Sequence, residues 1–437
     1  MRLITPGDRR CRRQGTMRIP RVLFPQSHRL LAGLTCAALS SGPAARISRA
    51  QFEAAKTLAV QQKWPPEHKL TVEAFLRAGG VLPGGARDHA ADDGAPRPPP
   101  ILDVRAPCEF AKGHIPGAIS APLFSDDERA AVGTLYKEAG HDAAVEHGLE
   151  IVERKGCDAL LASVPDLQPG DNVLVYCFRG GMRSGSVAWL LSQASLRVGL
   201  LDGGYKRYRR WALDAWDADR PVVIVGGPTG SGKTDVLHAL RGECGAQVLD
   251  LEGEAQHRGS IFGALGRPAQ PTNEHYENLL ATQWAAFDAR RPVFIEDESH
   301  NVGKCGVPRP LWQRMRAREA TVLRLAVPHE ARVAKLVAEY GVYDPRTIAD
   351  CVRGLYKRLG HARVDELCAL LEQTQPPALA TVADALLHEY YDAMYDYQAK
   401  KRAEEMDGAP QHVVKCDSGD AAANAARLLE RASALGL

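Results

Sequence analysis

The stretch Tyr176-Cys-Phe-Arg-Gly-Gly-Met-Arg-Ser-Gly-Ser sets one sulfur nucleophile among three glycines and two arginines. Gly180, Gly181 and Gly185 let the backbone curl and turn N–H groups inward. A helix opening near Ser184 adds its positive amino-terminal pole. Arg179 and Arg183 add full charges. All of these favour a thiolate at Cys177. The same cradle suits a tetrahedral oxyanion such as phosphate, or a sulfur or selenium adduct. A structural cysteine buried in apolar surroundings needs none of these neighbours. The catalytic candidates are therefore Cys177, Arg179 and Arg183. The other nine cysteines read as structural, with Cys108 set apart because it lies close to a loop of the same domain.

A second constellation is Gly227-Pro-Thr-Gly-Ser-Gly-Lys-Thr, which fits G-x-x-x-x-G-K-[ST] in full. It follows the apolar run Val222–Val225 and precedes the helical stretch Asp235–Leu240, the strand–loop–helix context this phosphate-binding loop requires. Gly227, Gly230 and Gly232 shape the loop, its amides wrap a phosphate, Lys233 supplies a point charge, and the Thr234 hydroxyl can reach Mg²⁺. Val293-Phe-Ile-Glu-Asp-Glu-Ser then reads as a strand ending in carboxylates, with Glu296, Asp297 and Glu298 as candidates for metal or water contact. The motif specifies phosphate and leaves open whether a nucleotide carries it. Lys206, Arg207, Arg209 and Arg210, interleaved with Tyr205, Tyr208 and Trp211, mix cations with stacking groups as an RNA-binding patch would. Trp312-Gln-Arg-Met-Arg-Ala-Arg is a second such patch. The competing reading of both is a solvated helix face.

These residues must be held by an α/β framework. Ile101–Val104, Val173–Tyr176 and Val198–Leu201 read as short strands, separated by amphipathic stretches at Asp126–Lys137 and Ser184–Gln193. Leu70–Leu76 reads as a short helix. A second α/β unit opens at Pro221, with strands at Gln247–Leu251, Val293–Ile295 and Thr321–Leu325. From Pro328 the chain reads as mostly helical, for example over Glu330–Tyr340 and Val382–Tyr395. The expected organisation is an extension over 1–60, one parallel-sheet domain over 68–217, and a phosphate-loop domain over 218–437 with a helical carboxyl-terminal part.

The 437 residues suit two or three domains at about 150 residues each. No apolar run is long enough to span a membrane, so no membrane partner is expected. The ten cysteines include no C-x-x-C pair, and no metal centre is expected from them. The net charge of +2 conceals a split: residues 1–52 hold ten arginines and one acid, +9, against −7 for the rest. Any RNA contact must therefore use local patches. The acid-poor, Arg-rich extension has the composition of a mitochondrial or plastid import peptide; a secretory signal and a start at Met17 are the alternatives, and without import the protein would be cytoplasmic. Gly84–Pro100 reads as a disordered insertion.

Asp103-Val-Arg-Ala-Pro-Cys-Glu-Phe-Ala-Lys-Gly-His-Ile-Pro-Gly-Ala resembles the rhodanese signature upstream of the active cysteine, and Leu201-Asp-Gly-Gly-Tyr resembles the segment that closes that fold. Five residues separate Cys177 from Arg183, one more than in common single-domain rhodaneses and as in the related C-x5-R phosphatases. The longer loop suggests a ligand larger than a sulfane sulfur. A rhodanese-like domain fused to a phosphate-loop domain in this order resembles the tRNA 2-selenouridine synthase family over roughly residues 68–400. The resemblance extends to Leu249-Asp-Leu-Glu-Gly-Glu-Ala-Gln-His-Arg-Gly-Ser, Gln270-Pro-Thr-Asn-Glu-His-Tyr-Glu-Asn and Tyr390-Tyr-Asp. It implies geranylation of a wobble 2-thiouridine by geranyl diphosphate, followed by replacement of the geranylthio group with selenium from selenophosphate. The implied partners are tRNA, through its anticodon loop, and those two substrates. The main alternative is a rhodanese-type sulfurtransferase with a regulatory nucleotide-binding domain.

Overall fold

The computed structural model describes residues 69–83, 97–155, 167–372, 378–405 and 411–437. The 1–60 extension and most of the Gly84–Pro100 insertion lie outside them.

The first half builds β1 (Lys69–Leu70), α1 (Val72–Ala78), β2 (Ile101–Asp103), α2 (Pro107–Lys112), β3 (Ile119–Ser120), α3 (Asp126–Ala139), α4 (His141–Lys155), β4 (Asn172–Tyr176), α5 (Met182–Gln193), β5 (Arg197–Leu201) and α6 (Gly204–Asp214). Local chemistry places several of the ends. Thr71 caps α1 by accepting the Ala74 N–H, and Ser125 and Glu128 form a reciprocal capping box at α3. The strands pair in parallel in the order β1-β5-β4-β2-β3.

The second half runs through β6 (Val222–Gly226), α7 (Lys233–Gly242), β7 (Gln247–Leu249), α8 (Leu251–Glu254), α9 (Asn273–Ala286), β8 (Val293–Glu296), the short pair β9 (Asn301–Val302) and β10 (Cys305–Gly306), α10 (Arg309–Met315) and β11 (Thr321–Ala326). Then follow α11 (His329–Tyr340), α12 (Pro345–Arg353), α13 (Tyr356–Leu359), α14 (His361–Glu372), α15 (Leu379–Leu386), a π turn over Leu387–Tyr391, α16 (Asp392–Glu405), β12 (Gln411–Lys415) and α17 (Ala421–Ala434). The second parallel sheet has the order β12-β11-β6-β8-β7.

Three sequence expectations change. The strand from Gln247 stops at Leu249, because Asp250 accepts the Gly253 N–H and starts α8. The helix expected over Val382–Tyr395 is two α-helices joined by the π turn. The helical tail also contains β12, an edge strand registered on β11 from Val322–Gln411 to Ala326–Lys415. Its sequence, QHVVK, is too short and too polar to announce itself.

Alternation along the strands distributes the cores. Val173 and Val175 face one cluster with Val198 and Leu200. Leu174 and Tyr176, on the opposite face, join a cluster that continues into Val222, Ile224, Val293 and Ile295 of the second sheet. One core therefore runs through both halves. Its middle is aromatic: Tyr205 and Tyr208 of α6, then Trp216, meet Tyr276 and Trp284 of α9, with the two indole rings 5.5 Å apart. A separate cluster under Ile348, Leu367, Leu386 and Tyr391 holds the helical region together.

Candidate active site

β4 is the third of the five strands, and Cys177 follows its carboxyl end, where parallel sheets present ligand-binding loops. The loop is stitched down by α6: the Tyr205 N–H donates to the Cys177 carbonyl at 2.8 Å and the Lys206 N–H to the Phe178 carbonyl at 2.9 Å. Gly204, at φ 60°, permits that approach, because a Cβ there would collide with the Cys177 carbonyl and the Gly180 amide. Sγ lies 3.2 Å from the Ser184 hydroxyl, which donates to the Gly181 carbonyl. α5 begins at Met182 with Gly181 at its cap, so its positive pole adjoins the cysteine loop. Cys177 is only 3% exposed. Phe178 and Arg179, which follow it, line a cleft of ≈ 740 Å³.

That cleft is lined by seven cations and two carboxylates, an environment for an anion or a phosphate backbone. The cations are not equally available. Arg183 donates to Glu109 at 2.7 Å, and Glu109 also accepts the Ala106 N–H. Although burial opposes it, this pairing keeps the Glu109 carboxyl below its ordinary range. The expected free charge at Arg183 is thus spent on a carboxylate 74 positions earlier. Arg179 has no carboxylate partner among the described residues, and its guanidinium lies 6.0 Å from the Phe178 ring. Cys108, exposed at the start of α2, lines the same cleft. Burial opposes the nearby Asp103–Arg105 pair, yet Arg105 lies 3.8 Å over the Tyr205 ring and supports the cleft floor.

The RNA patch read from the sequence divides on folding. Lys206 lines the cleft, but Arg207 pairs with Asp202 and Arg210 with Asp214. Arg209 bonds Asn278 and Glu277 of α9 at 2.6 Å each. Tyr205 and Tyr208 are 2% and 0% exposed and offer no stacking surface. Their i, i+3 spacing puts both on the inward stripe of α6, where Tyr205 donates to Glu274 and the Tyr208 hydroxyl meets Thr282 at 2.9 Å. The second patch is likewise structural. Arg314 bonds Asp219 and the Trp216 carbonyl, while Arg316 donates to the Glu298 carbonyl and stacks 4.0 Å over Trp312.

α6 and α9 thereby form a seam between the halves. Asn278 donates to the His114 carbonyl at 3.0 Å and to the Tyr205 hydroxyl at 2.9 Å. His275 stacks on His114 at 3.8 Å, and burial pushes its pKa down to about 4. Glu274, on the same helix, lines the cleft beside Lys206.

The phosphate loop follows β6, the middle strand of its sheet, and ends where α7 begins at Lys233. Gly232 is left-handed at φ 74°. Lys233 Nζ folds back to the Gly227 carbonyl at 2.9 Å, over the concavity that a phosphate would fill. Arg332 of α11 buttresses the loop, donating from Nε to the Thr229 carbonyl at 2.9 Å while its other nitrogens bind Asp392.

The three supporting carboxylates have different fates. Glu296 is fully buried, accepts the Leu251 N–H at 3.0 Å, and is raised well above the usual carboxylate range by burial and by Asp250 and Glu252. Asp297 is enclosed and paired with Arg402. Glu298 lies beside Glu252, where its oxygens and Glu252 Oε1 crowd Gly259 together, and Lys233 acts on both Asp297 and Glu298. Burial and the Glu252 carboxylate push the Glu298 pKa up to about 8. Glu252 was not singled out from the sequence, yet it accepts the Thr234 hydroxyl proton at 2.8 Å. Its signal was present in Leu249-Asp-Leu-Glu, directly after a strand neighbouring β8. Thr234, Glu252 and Glu298 together form an oxygen donor set of the kind Mg²⁺ takes.

The sign of a pH effect follows. At pH 7 Glu298 carries its proton; above about pH 8 it is charged. Metal-free pyrophosphate binding should therefore weaken several-fold from pH 7 to pH 9, and Glu298→Gln should flatten that trend. Calorimetric titrations at both pH values in chelator check it; an equal decline in the variant would clear Glu298 of the effect.

Residues 220–348 and 345–418 match the tRNA 2-selenouridine synthase AAA domain, and residues 86–210 match the rhodanese-like domain. The tRNA 2-selenouridine synthase of Shewanella loihica is 38% identical over 340 residues, covering 70% of this chain and 88% of its own. The proteins of that name from Pseudomonas putida strains GB-1 and KT2440 are 37% and 39% identical, covering 71% of this chain and 90% of theirs. These relatives are bacterial and lend no support to organellar import. Among the described residues no helix is long and apolar enough to cross a membrane. With both matched domains present in order, and this identity over most of the relatives' length, the chain belongs to the tRNA 2-selenouridine synthase family, whose members are tRNA-modifying enzymes.

Proposed function

We propose that this chain makes 2-selenouridine at the wobble position of tRNA in two steps, using geranyl diphosphate and selenophosphate. The observation that carries the reading is a cysteine loop at a cationic cleft whose far wall, Glu274, belongs to the phosphate-loop half. In the first step the 2-thiouridine sulfur attacks C1 of the geranyl group and diphosphate leaves. Lys233 and the loop amides would neutralise that leaving charge, the role such anion cradles fill best. Thr234, Glu252 and Glu298 would hold Mg²⁺, which supplies further neutralisation. In the second step selenium attacks C2 of the nucleobase and geranylthiol leaves, while water takes up the phosphoryl group of selenophosphate. Cys177 would guide the selenide released from selenophosphate towards C2, with Arg179 holding the donor's anionic group. Lys206 and Arg179 would meet the anticodon-loop phosphates.

The test is mass analysis of tRNA nucleosides from cells with and without the gene for this chain. Loss of 2-selenouridine, with 2-thiouridine retained, is expected on deletion. Unchanged tRNA together with thiosulfate turnover by the pure protein would favour the sulfurtransferase reading instead. Lys233→Ala should weaken geranyl diphosphate binding by about 1–3 kcal/mol, the worth of one charge-assisted contact. Calorimetry against the unaltered protein measures this, and equal affinity would move the diphosphate out of the loop.

A further inference from the structure

We propose that His329, Asp384 and His388 form a binding site for a divalent cation of the zinc class. Asp384 and His388 are four positions apart, and His329, 55 positions before Asp384, meets them where α11 starts beside the junction of α15 with the π turn. One ligand atom from each, imidazole nitrogen or carboxylate oxygen, falls within 4.8 Å of the others. His329 Nε2 is 2.6 Å from Asp384 Oδ1, and His388 Nε2 is 3.7 Å from the same oxygen. The second distance is too long for a hydrogen bond, and the i, i+4 spacing of Asp384 and His388 keeps their side chains adjacent. The two imidazoles stack with centroids 4.3 Å apart, which aims both Nε2 atoms at one carboxylate.

Tetrahedral zinc with bonds of about 2.0–2.1 Å needs its ligand atoms about 3.3 Å apart. The observed 2.6 and 3.7 Å straddle that value, so small rotamer shifts would suffice. Two imidazoles and one carboxylate suit zinc-class ions; Mg²⁺ and Ca²⁺ prefer oxygen alone. All three side chains are partly or well exposed, which leaves an entry path and a fourth position for water. The π turn is a second, independent sign, since such turns are frequently retained at functional sites. Only the Asp384–His388 pair has a spacing visible in the sequence; His329 lies 55 positions before Asp384.

The consequence reaches the phosphate loop. A cation here ties the first residue of α11 to α15, and Arg332, one turn further along α11, is the residue that holds the Thr229 carbonyl. Asp392, the partner of Arg332, lies one turn beyond His388. The cation would act as a clamp on the helices that buttress the loop, outside the reacting centre.

The experiment uses the full chain, stripped with chelator and titrated with Co²⁺ alone, then Zn²⁺ alone. One equivalent of Co²⁺ should bind with visible d–d absorption and without a thiolate charge-transfer band, and Zn²⁺ should displace it. His388→Gln and Asp384→Asn should each lower the affinity at least ~10-fold. His388 is 65% exposed, so its replacement leaves the fold intact, which circular dichroism checks. Zn²⁺ should raise the Tm of the unaltered chain and not that of His388→Gln. Absence of uptake, uptake equal in the variants, or a thiolate band would each overturn the site and leave the triad a surface hydrogen-bonded cluster.

Discussion

Cys177→Ser is expected to abolish selenium transfer to tRNA while the chain remains folded. The side chain is 3% exposed and packed against Ser184, so the swap removes no volume that neighbours would have to refill. Serine can keep the contact with the Ser184 hydroxyl, and the stability cost should stay near about 1 kcal/mol. Chemistry is a different matter. An unassisted hydroxyl stays protonated at neutral pH and is a poor nucleophile. Among the described residues no imidazole contacts Cys177 to act as a base, so serine would have nothing to activate it. The helix pole, the loop amides and Arg179 assist an anion; they cannot remove a proton. Nucleoside mass analysis after reaction with selenophosphate should show no 2-selenouridine, and thermal melts should nearly coincide. Geranylated 2-thiouridine should still accumulate if that step belongs to the phosphate loop. Normal selenium incorporation by the variant would end the proposed role of Cys177.

The second large effect concerns stability. Asp103 and Arg105 form a pair that is 0% and 2% exposed, with Arg105 Nε 3.0 Å from both carboxylate oxygens. The guanidinium also donates to the Gly113 carbonyl at 2.6 Å and lies over the Tyr205 ring. Asp103→Ala leaves that cation in the core without its counter-charge. Breaking a buried pair from one side costs about 3–5 kcal/mol, because the remaining charge has lost its solvent and its partner. The lost charge also loosens the contact with Tyr205, which anchors the cysteine loop through its backbone and the α6–α9 seam through its hydroxyl. Urea unfolding should show the loss in the midpoint with little change in slope. The double variant Asp103→Leu/Arg105→Met should recover much of it, since replacing both partners by apolar groups is often close to neutral. A loss below about 1 kcal/mol in Asp103→Ala would mean that water reaches the guanidinium.

Both effects pass through one piece of architecture. The core running from Leu174 and Tyr176 to Ile224 and Ile295 makes the cysteine-loop half and the phosphate-loop half a shared packing unit. The two-step reaction proposed above would need both chemistries to face the same RNA. The seam residues Tyr205, Glu274 and Asn278 hold the cleft wall in register with α9.

The reactive loops were legible in the amino-acid sequence because each is a contiguous backbone device. Gly227–Thr234 must follow a strand and open a helix for its amides to converge, and Cys177–Ser184 does the same with a shorter turn; such geometry is written in neighbouring residues. The strands at Val173 and Val222 were legible for the same reason, since a strand buried on both faces is a short apolar run between turns. What only the tertiary structure decided is pairing at a distance. Arg183 looked like a free cation until Glu109 met it; Lys206, Arg207, Arg209 and Arg210 looked like one patch until α9 and local acids divided them. Glu252 became the partner of Thr234, and His329 met Asp384 and His388, through contacts 18 and 55 positions apart. Charge and residue type are local properties. Which charges are spent on each other depends on how the helices cross, and that is set by the packing of Tyr205, Tyr208 and Trp284 in the shared core.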